Sequence, residues 1–405
     1  MIPFSPPRID QKTIDAVTSV LQSGWITTGP VTKTFEKMIS HFSGVSDTLC
    51  VSSASAGLEL ILRWFGVGPG DEVILPAYTY AATANVVSHT GAKPVLVDSN
   101  PNDFNINISA IKEHITKRTK VIIPVDIGGM PCDYDMINRL VEKNEVKELF
   151  TPGNDNQRML QRILVLSDAA HSIGAQYKGK MTGSLADITV FSFHAVKNLT
   201  TAEGGAVCLN LPTPFNNHII YQQLTVKSLH GQSKDALTKS IAGNWEYDIV
   251  EPGFKCNMTD IQAAMGVVEL KRYRNDMLIK RRYIFDRYTK ALHSFKWAET
   301  PFFEDAIRKS SYHAYLLRIK NCNEKQRNEI INHIFKLGVA VNVHFKPLPL
   351  MSYYKSCGYD INDYPVAYKN YSREVSLPVW YDLNDDQIDK VINAVTLAVE
   401  KTIGK

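Results

Sequence analysis

Lys197 stands just past an apolar run, Ile188 to Phe193, and just before a turn of small residues that leads into Glu203-Gly-Gly205. A lysine at the end of a buried strand is costly unless it is paired or neutral, and burial lowers its pKa. A neutral amine in a pocket is a nucleophile toward carbonyls. Asp168 follows a second apolar run, Ile163 to Leu166, within Ser-Asp-Ala-Ala-His-Ser172. The carboxyl ends of parallel strands are where α/β proteins gather their sites, so this carboxylate can face the same crevice as Lys197. Ser53-Ala-Ser-Ala-Gly57 joins a run ending at Val51 to a helix start. Its small residues let backbone approach an anion, and the helix N-terminus adds unpaired N–H donors. Tyr78 and Tyr80, in Leu75-Pro-Ala-Tyr-Thr-Tyr80, lie past another strand and offer aromatic faces for a flat ring.

Each feature has an ordinary structural reading: a snorkelling lysine, a turn aspartate, a capped helix start, a packed aromatic. Together they are the set that pyridoxal phosphate (PLP) needs. The lysine bonds the aldehyde, the carboxylate keeps the pyridine nitrogen protonated, the cup holds the phosphate and the aromatic covers the ring. Other nucleotide motifs do not fit. No glycine-lysine pair follows the Ser53 turn, and Pro69-Gly70 in Gly66-Val-Gly-Pro-Gly70 makes a turn after a helix rather than opening one. His171, His344 and Asp126 are polar groups at strand ends that form no metal set, so no metal is expected.

The elements that must position these residues follow a strand–helix rhythm. Strands are predicted over Thr48 to Val51, Glu72 to Leu75, Lys93 to Val97, Val121 to Val125, Ile163 to Leu166, Ile188 to Phe193 and Gly205 to Leu209. Several are apolar at every position, which suits a parallel sheet covered on both faces. Helices are predicted over Ser55 to Phe65, Ala81 to His89, Ile108 to Ile115 and Tyr134 to Glu142. A long helix from Met258 to about Thr289 leads to a strand–helix–strand–helix pattern: Ala314 to Ile319, Glu324 to Leu337, Ala340 to Val343, and Asp385 to Val399. The expected fold is α/β, with residues 1–257 as a large domain and 258–405 as the linking helix and a smaller C-terminal α/β domain. The polar stretch at about 145–162, with Thr151-Pro-Gly-Asn-Asp-Asn156, reads as a surface insertion.

The 405 residues include 44% hydrophobic ones, enough for a sizeable core, and 45 basic against 41 acidic side chains leave a net charge of +4. Without a local basic block, nucleic acid is not the expected partner. No apolar run reaches the length of a membrane span and no secretory signal is seen, so neither a membrane nor export is expected. Six cysteines scattered without paired spacing suit free thiols in a reducing cytoplasm.

Over nearly its whole length the chain resembles the DegT/DnrJ/EryC1/StrS family of PLP-dependent sugar aminotransferases. The matching stretches are Gly24-Trp-Ile-Thr-Thr-Gly-Pro30, Ser52-Ser-Ala-Ser-Ala-Gly57, Pro76-Ala-Tyr-Thr-Tyr-Ala-Ala-Thr83, Asp168-Ala-Ala-His-Ser172 and Ser192-Phe-His-Ala-Val-Lys-Asn198. Glu203-Gly-Gly205, the run from Pro252 to Ala264, Val343-His-Phe-Lys-Pro-Leu-Pro349 and Ser376-Leu-Pro-Val379 continue it.

The resemblance implies a fold-type I homodimer with a mostly parallel seven-stranded sheet and two active sites shared across the subunit interface. Lys197 would be the Schiff-base lysine and proton shuttle, and Asp168 the partner of the pyridine nitrogen. Ala54, Ser55 and Ser192 would hold the phosphate, with His171 beside the ring and Tyr80 or Tyr78 stacked on it, Tyr80 being preferred. Relatives reach the phosphate from the other subunit through an asparagine in Gly-Tyr-Asn-Tyr-Arg. Here Gly253-Phe-Lys-Cys-Asn257 leaves Lys255 or Asn257 for that contact. Thr28 and His344 would lie toward the substrate. Two departures bear on which sugar is accepted: Asp126-Ile-Gly-Gly-Met-Pro131, where relatives open with histidine, and the insertion.

The implied reaction is a ping-pong transfer from L-glutamate to a keto group, at C4 or next C3, of a nucleotide-linked sugar for surface polysaccharide or glycoside biosynthesis. A sugar dehydratase on the same fold would carry histidine in place of Lys197. A non-catalytic regulator needs no such lysine. An amino-acid aminotransferase would use a C-terminal arginine as carboxylate clamp, for which Arg373 is the candidate position.

Overall fold

The computed structural model describes residues 1–234, 239 and 245–404. Its centre is a seven-stranded sheet of β1 (Asp47–Val51), β2 (Glu72–Pro76), β3 (Lys93–Val97), β4 (Thr119–Ile122), β5 (Leu164–Asp168), β6 (Ile188–Ser192) and β7 (Gly205–Leu209). The order is β1-β7-β6-β5-β4-β2-β3. All pairings are parallel except the two made by β7. The strands are apolar on both faces because helices cover both, and they are almost wholly buried. The seven predicted strands are present within a few residues of their expected ends. The fourth stops at Ile122, and the fifth runs on to Asp168.

Strand register gathers the loops. Ser192 and Val51 both pair with Gly205, one on each side of β7, so the segments after β1 and β6 meet at one edge. A Cβ on Gly205 would lie 2.6 Å from the Ala54 nitrogen, so only glycine lets β7 start against that turn. Asp168 ends β5 next door, with its own amide bonded to Pro124 O at 2.9 Å. The carboxyl ends of β1, β2, β5 and β6 therefore open into one crevice.

The long helix forms as helices Asp260–Arg272 and Leu278–Leu292 joined through a π turn at Tyr273–Met277. Beyond it, β8 (Ala298–Glu299), β9 (Tyr315–Ile319) and β10 (Glu374–Leu377) make a small antiparallel sheet, order β8-β9-β10, over a second apolar core. Helices Glu324–Lys336 and Asp385–Ile403 pack on it. One expectation fails here. Ala340 to Val343 makes a single bridge, Asn342 to Ser376, while the ladder with Tyr315–Ile319 is made by β10. A four-residue run with three apolar residues, Ala340-Val-Asn-Val343, could not be told from a loop, and the Arg-Glu at the start of β10 masked a true strand.

The insertion carries two short helices, Asn144–Lys147 and Asp155–Leu160. Asn154 and Gln157 donate to Phe65 O at 2.9 and 2.8 Å, and Asn156 donates to Trp64 O at 2.8 Å. These side chains satisfy carbonyls left open at the end of helix Ala54–Trp64, whose other end is the small-residue turn. Among the described residues no helix is long and apolar enough to cross a membrane. Four of the six free cysteines are buried.

Candidate active site

A cavity of about 330 Å³ opens at the strand ends, lined among others by Ala54, Ser55, Tyr80, Thr83, Asp168, His171, Ser192, Lys197, His313, His344 and Phe345. It thus unites eight of the twelve residues given catalytic, cofactor or substrate roles by the sequence. Lys197 is half-buried, with its side chain on the cavity. The protein around it pushes the ammonium down to about 8, the charge of Asp168 opposing that shift. Among the described residues no ion pair joins the two, and each feels the other only through its charge. Burial raises the Asp168 carboxyl above its usual range, against hydrogen bonds from Thr83 Oγ1 at 2.8 Å and Ala170 N at 3.2 Å. A buried carboxylate without a paired cation is what a protonated pyridine nitrogen requires.

The phosphate-side geometry is equally explicit. Ser53 caps helix Ala54–Trp64 by accepting from Ala56 N at 3.1 Å, while the amides of Ala54 and Ser55 have no acceptor among the described residues. Free amides at a helix N-terminus suit an anion. Ser192, at the end of β6, borders the same space. Tyr80 is 64% exposed and caps helix Ala81–His89 beside Phe345, ring centroids 5.8 Å apart, so its face is open to a bound ring.

Tyr78 is elsewhere. It is fully buried, donates its hydroxyl hydrogen to His344 O at 2.6 Å and packs on Phe104, so the structure does not bring it to the cavity. The strand ends at Pro76 and the chain bends before Ala81, which sends two tyrosines of alternate position apart. Thr28, Lys255 and Asn257 also lie outside the lining of this cavity. Asn257 donates to Thr28 Oγ1 at 2.6 Å, Thr28 donates to Met258 O at 2.5 Å, and Lys255 is exposed. Arg373, the candidate position for a carboxylate clamp, is held by Glu299 at 2.6 Å and is absent from the lining. Asp126 is buried, accepting from Cys132 N, Tyr134 Oη and Ser172 Oγ at 2.8, 2.9 and 2.6 Å, and burial pushes it up to about 6.

Three histidines close one wall. His171 stacks on His313 with centroids 4.2 Å apart and on Phe345 at 5.5 Å. Its Nδ1 is buried without a partner, a polar atom that a ligand in the cavity can satisfy. Burial keeps His171 and His313 neutral, and His344 is pushed down to about 4 by burial and the Lys197 charge. His313 Nδ1 lies 2.8 Å from Asn198 Oδ1, and Asn198 donates to Ser311 O at 2.7 Å and to Tyr273 Oη at 3.1 Å. The residue next to Lys197 is thereby tied to the π turn. Thr83, His313 and Phe345 were not singled out in the sequence, although Thr83 closes the Pro76 to Thr83 motif. His313 carries no local signal, because its partners are 142 and 115 positions away (313 − 171 and 313 − 198).

The donor set therefore fits PLP: an amine, a buried carboxylate, free helix amides and an open aromatic face converge on one cavity. The sequence model of the DegT/DnrJ/EryC1/StrS aminotransferase family matches residues 7–150 and 158–396. The unmatched residues 151–157 lie within the insertion. The spore coat polysaccharide biosynthesis protein SpsC of Bacillus subtilis is 38% identical over 401 residues, covering 97% of this chain and 96% of that protein. Spr1654 of Streptococcus pneumoniae, assigned as a sugar aminotransferase and solved in its PMP-form, superposes with a TM-score of 0.96 at 44% identity, over 100% of both chains. Its PLP-form gives 0.94 at 43% identity over 99% of each. Helicobacter pylori PseC, an aminotransferase involved in pseudoaminic acid biosynthesis, gives 0.85 at 27% identity over 99% of each.

Proposed function

The chain belongs to the DegT/DnrJ/EryC1/StrS aminotransferase family and is a PLP-dependent aminotransferase, and from that premise we propose that it moves the amino group of L-glutamate to a keto group of a nucleotide-linked sugar. C4 is the favoured position and C3 the next. The observation that carries this reading is the half-buried Lys197, held to about 8, in one cavity with the unpaired Asp168. We assign the product to surface polysaccharide or glycoside biosynthesis in the cytoplasm, and take residues 1–257 and 258–405 as the two domains.

Bound here, PLP supplies an electron sink that stabilises carbanions and carries the amino group between the two substrates. The chain's own residues do the rest. The Ala54 and Ser55 amides and the Ser192 hydroxyl bind the phosphate dianion at a helix N-terminus. Asp168, steadied by Thr83, keeps the pyridine nitrogen protonated. Tyr80 covers one ring face, and His171 lies beside the ring. Lys197 Nζ, neutral above about pH 8, takes a proton from one carbon and returns it to the other; a positioned base of this kind contributes roughly 10²–10⁴-fold. His344, on the cavity wall, faces the substrate, and Thr28, outside the cavity of its own chain, would serve the partner's site in a shared-site dimer.

In this reading the enzyme is a homodimer with shared sites. Lys255 or Asn257 reaches the phosphate of the neighbouring subunit, which accounts for their position outside the cavity of their own chain. A panel of 4-keto and 3-keto nucleotide sugars with glutamate, followed through the cofactor's absorbance, tests the assignment. Amino-sugar formation from a 4-keto compound is the expected result. Turnover of amino acids and oxo acids only, with no sugar aminated, would overturn it.

A further inference from the structure

Behind His344 lies a carboxyl group that amino transfer does not call upon. Glu374, in β10, is fully buried. Its Oε1 is 2.5 Å from Ser376 Oγ, Ser376 Oγ is 2.8 Å from His344 Nδ1, and its Oε2 accepts the His344 backbone N–H at 3.1 Å. Among the described residues no cation is ion-paired with it. Arg318 on β9 is taken by Glu299 at 2.5 Å, and Arg327 on helix Glu324–Lys336 gives hydrogens to the carbonyls of Tyr371 and Glu374. The buried Tyr78 hydroxyl is the remaining titratable group near it. Burial outweighs all of these and pushes the Glu374 carboxyl up to about 8. His344, by contrast, stays neutral in that range.

We propose that Glu374, acting through Ser376, is a positioning residue that decides which ring nitrogen of His344 carries the hydrogen. It thereby decides whether the nitrogen left for the cavity donates or accepts a hydrogen bond. Nε2 is that nitrogen, since Nδ1 is engaged by Ser376 and Nε2 has no hydrogen-bond partner among the described residues.

The logic is one of donors and acceptors. A serine hydroxyl has one hydrogen, and a carboxylate only accepts. With Glu374 ionised, Ser376 must donate to it, His344 Nδ1–H must donate to Ser376, and Nε2 is a bare acceptor. With Glu374 protonated, Oε2 is already occupied as acceptor for the His344 N–H, so the hydrogen lies on Oε1 and points at Ser376. Ser376 then donates to Nδ1, and Nε2 carries the hydrogen. The two states interconvert in balance. One proton enters at Nε2, the Nδ1 hydrogen passes to Ser376 and the Ser376 hydrogen passes to Glu374, and no other bond changes. The donor form suits a carbonyl or carboxylate oxygen of an incoming substrate, and the acceptor form suits a hydroxyl. This consequence rests on reading the cavity as the reacting site, whereas the relay itself does not.

The test is nitrogen NMR of the PLP-loaded protein labelled at the histidine ring nitrogens, with His344→Gln used to identify the His344 signals. In the wild type, His344 is expected to shift from the Nε2–H form to the Nδ1–H form as pH rises through the Glu374 titration. In Glu374→Gln the His344 backbone N–H keeps the amide oxygen on its side, so the amide N–H faces Ser376. His344 should then remain Nε2–H at every pH above its own protonation at about 4. Ser376→Ala should abolish the pH-linked shift. A wild-type His344 that keeps one tautomer across the range, or a Glu374→Gln protein that switches as the wild type does, would overturn the proposal. The readout needs no sugar substrate, so a failed amino-transfer assay leaves it standing.

Discussion

Thr83 donates its hydroxyl hydrogen to Asp168 Oδ2 at 2.8 Å, and both side chains are buried. With the Ala170 amide, it is the hydrogen-bonded support of a carboxylate that burial otherwise pushes toward its neutral form. Hydrogen bonds to charged groups contribute about 1.5–3 kcal/mol, so Thr83→Val should weaken PLP binding by roughly 10- to 100-fold. Asp168→Asn should weaken it further. Titration of the PLP-free protein with cofactor measures both, and an unchanged affinity in Thr83→Val would remove this role.

The pH dependence of amino transfer follows from Lys197. Burial lowers its pKa to about 8, with Asp168 opposing, and the neutral amine is the form that accepts a proton. As pH falls through that value the neutral fraction drops, so kcat should fall about tenfold for each further unit. A kcat profile that stays flat across that pH would mean that another group moves the proton.

Much of this arrangement is legible in the sequence because it is local. Lys197, Asp168 and the Ser53 turn each follow an apolar strand, and parallel strands deliver their ends to one crevice. What is not legible depends on long-range pairing. Glu374 reaches His344 only because β10, not Ala340 to Val343, pairs with β9. His313 meets His171 only through the meeting of two sheets' loops. Tyr78 and Tyr80 look equivalent in sequence and separate only because the strand ends at Pro76.

Lys255 provides a test of shared sites. Of Lys255→Ala and Asn257→Ala, the variant that removes the side chain reaching the partner's phosphate should raise the Kd for PLP, and Asn257→Ala also releases Thr28. Equal, unaltered PLP affinity in both variants would argue that neither side chain crosses to the partner's phosphate.

Asp126 links pH to stability. Its folded value, about 6, lies above the ordinary 3.8 because the group is buried. The folded state therefore holds the proton more tightly, and this contribution is present below pH 3.8 and is lost as pH rises through about 6. The full shift is worth on the order of 3 kcal/mol. Asp126→Asn should remove that pH dependence, which denaturant unfolding at several pH values would reveal as a flatter curve than the wild type's.

The central claim is that Lys197 holds the cofactor, and borohydride reduction of the PLP-loaded enzyme tests it most directly. Peptide mass spectrometry should find the reduced pyridoxyl group on Lys197, with no adduct and no turnover in Lys197→Ala. A label on another lysine, or amino transfer that survives in Lys197→Ala, would contradict it.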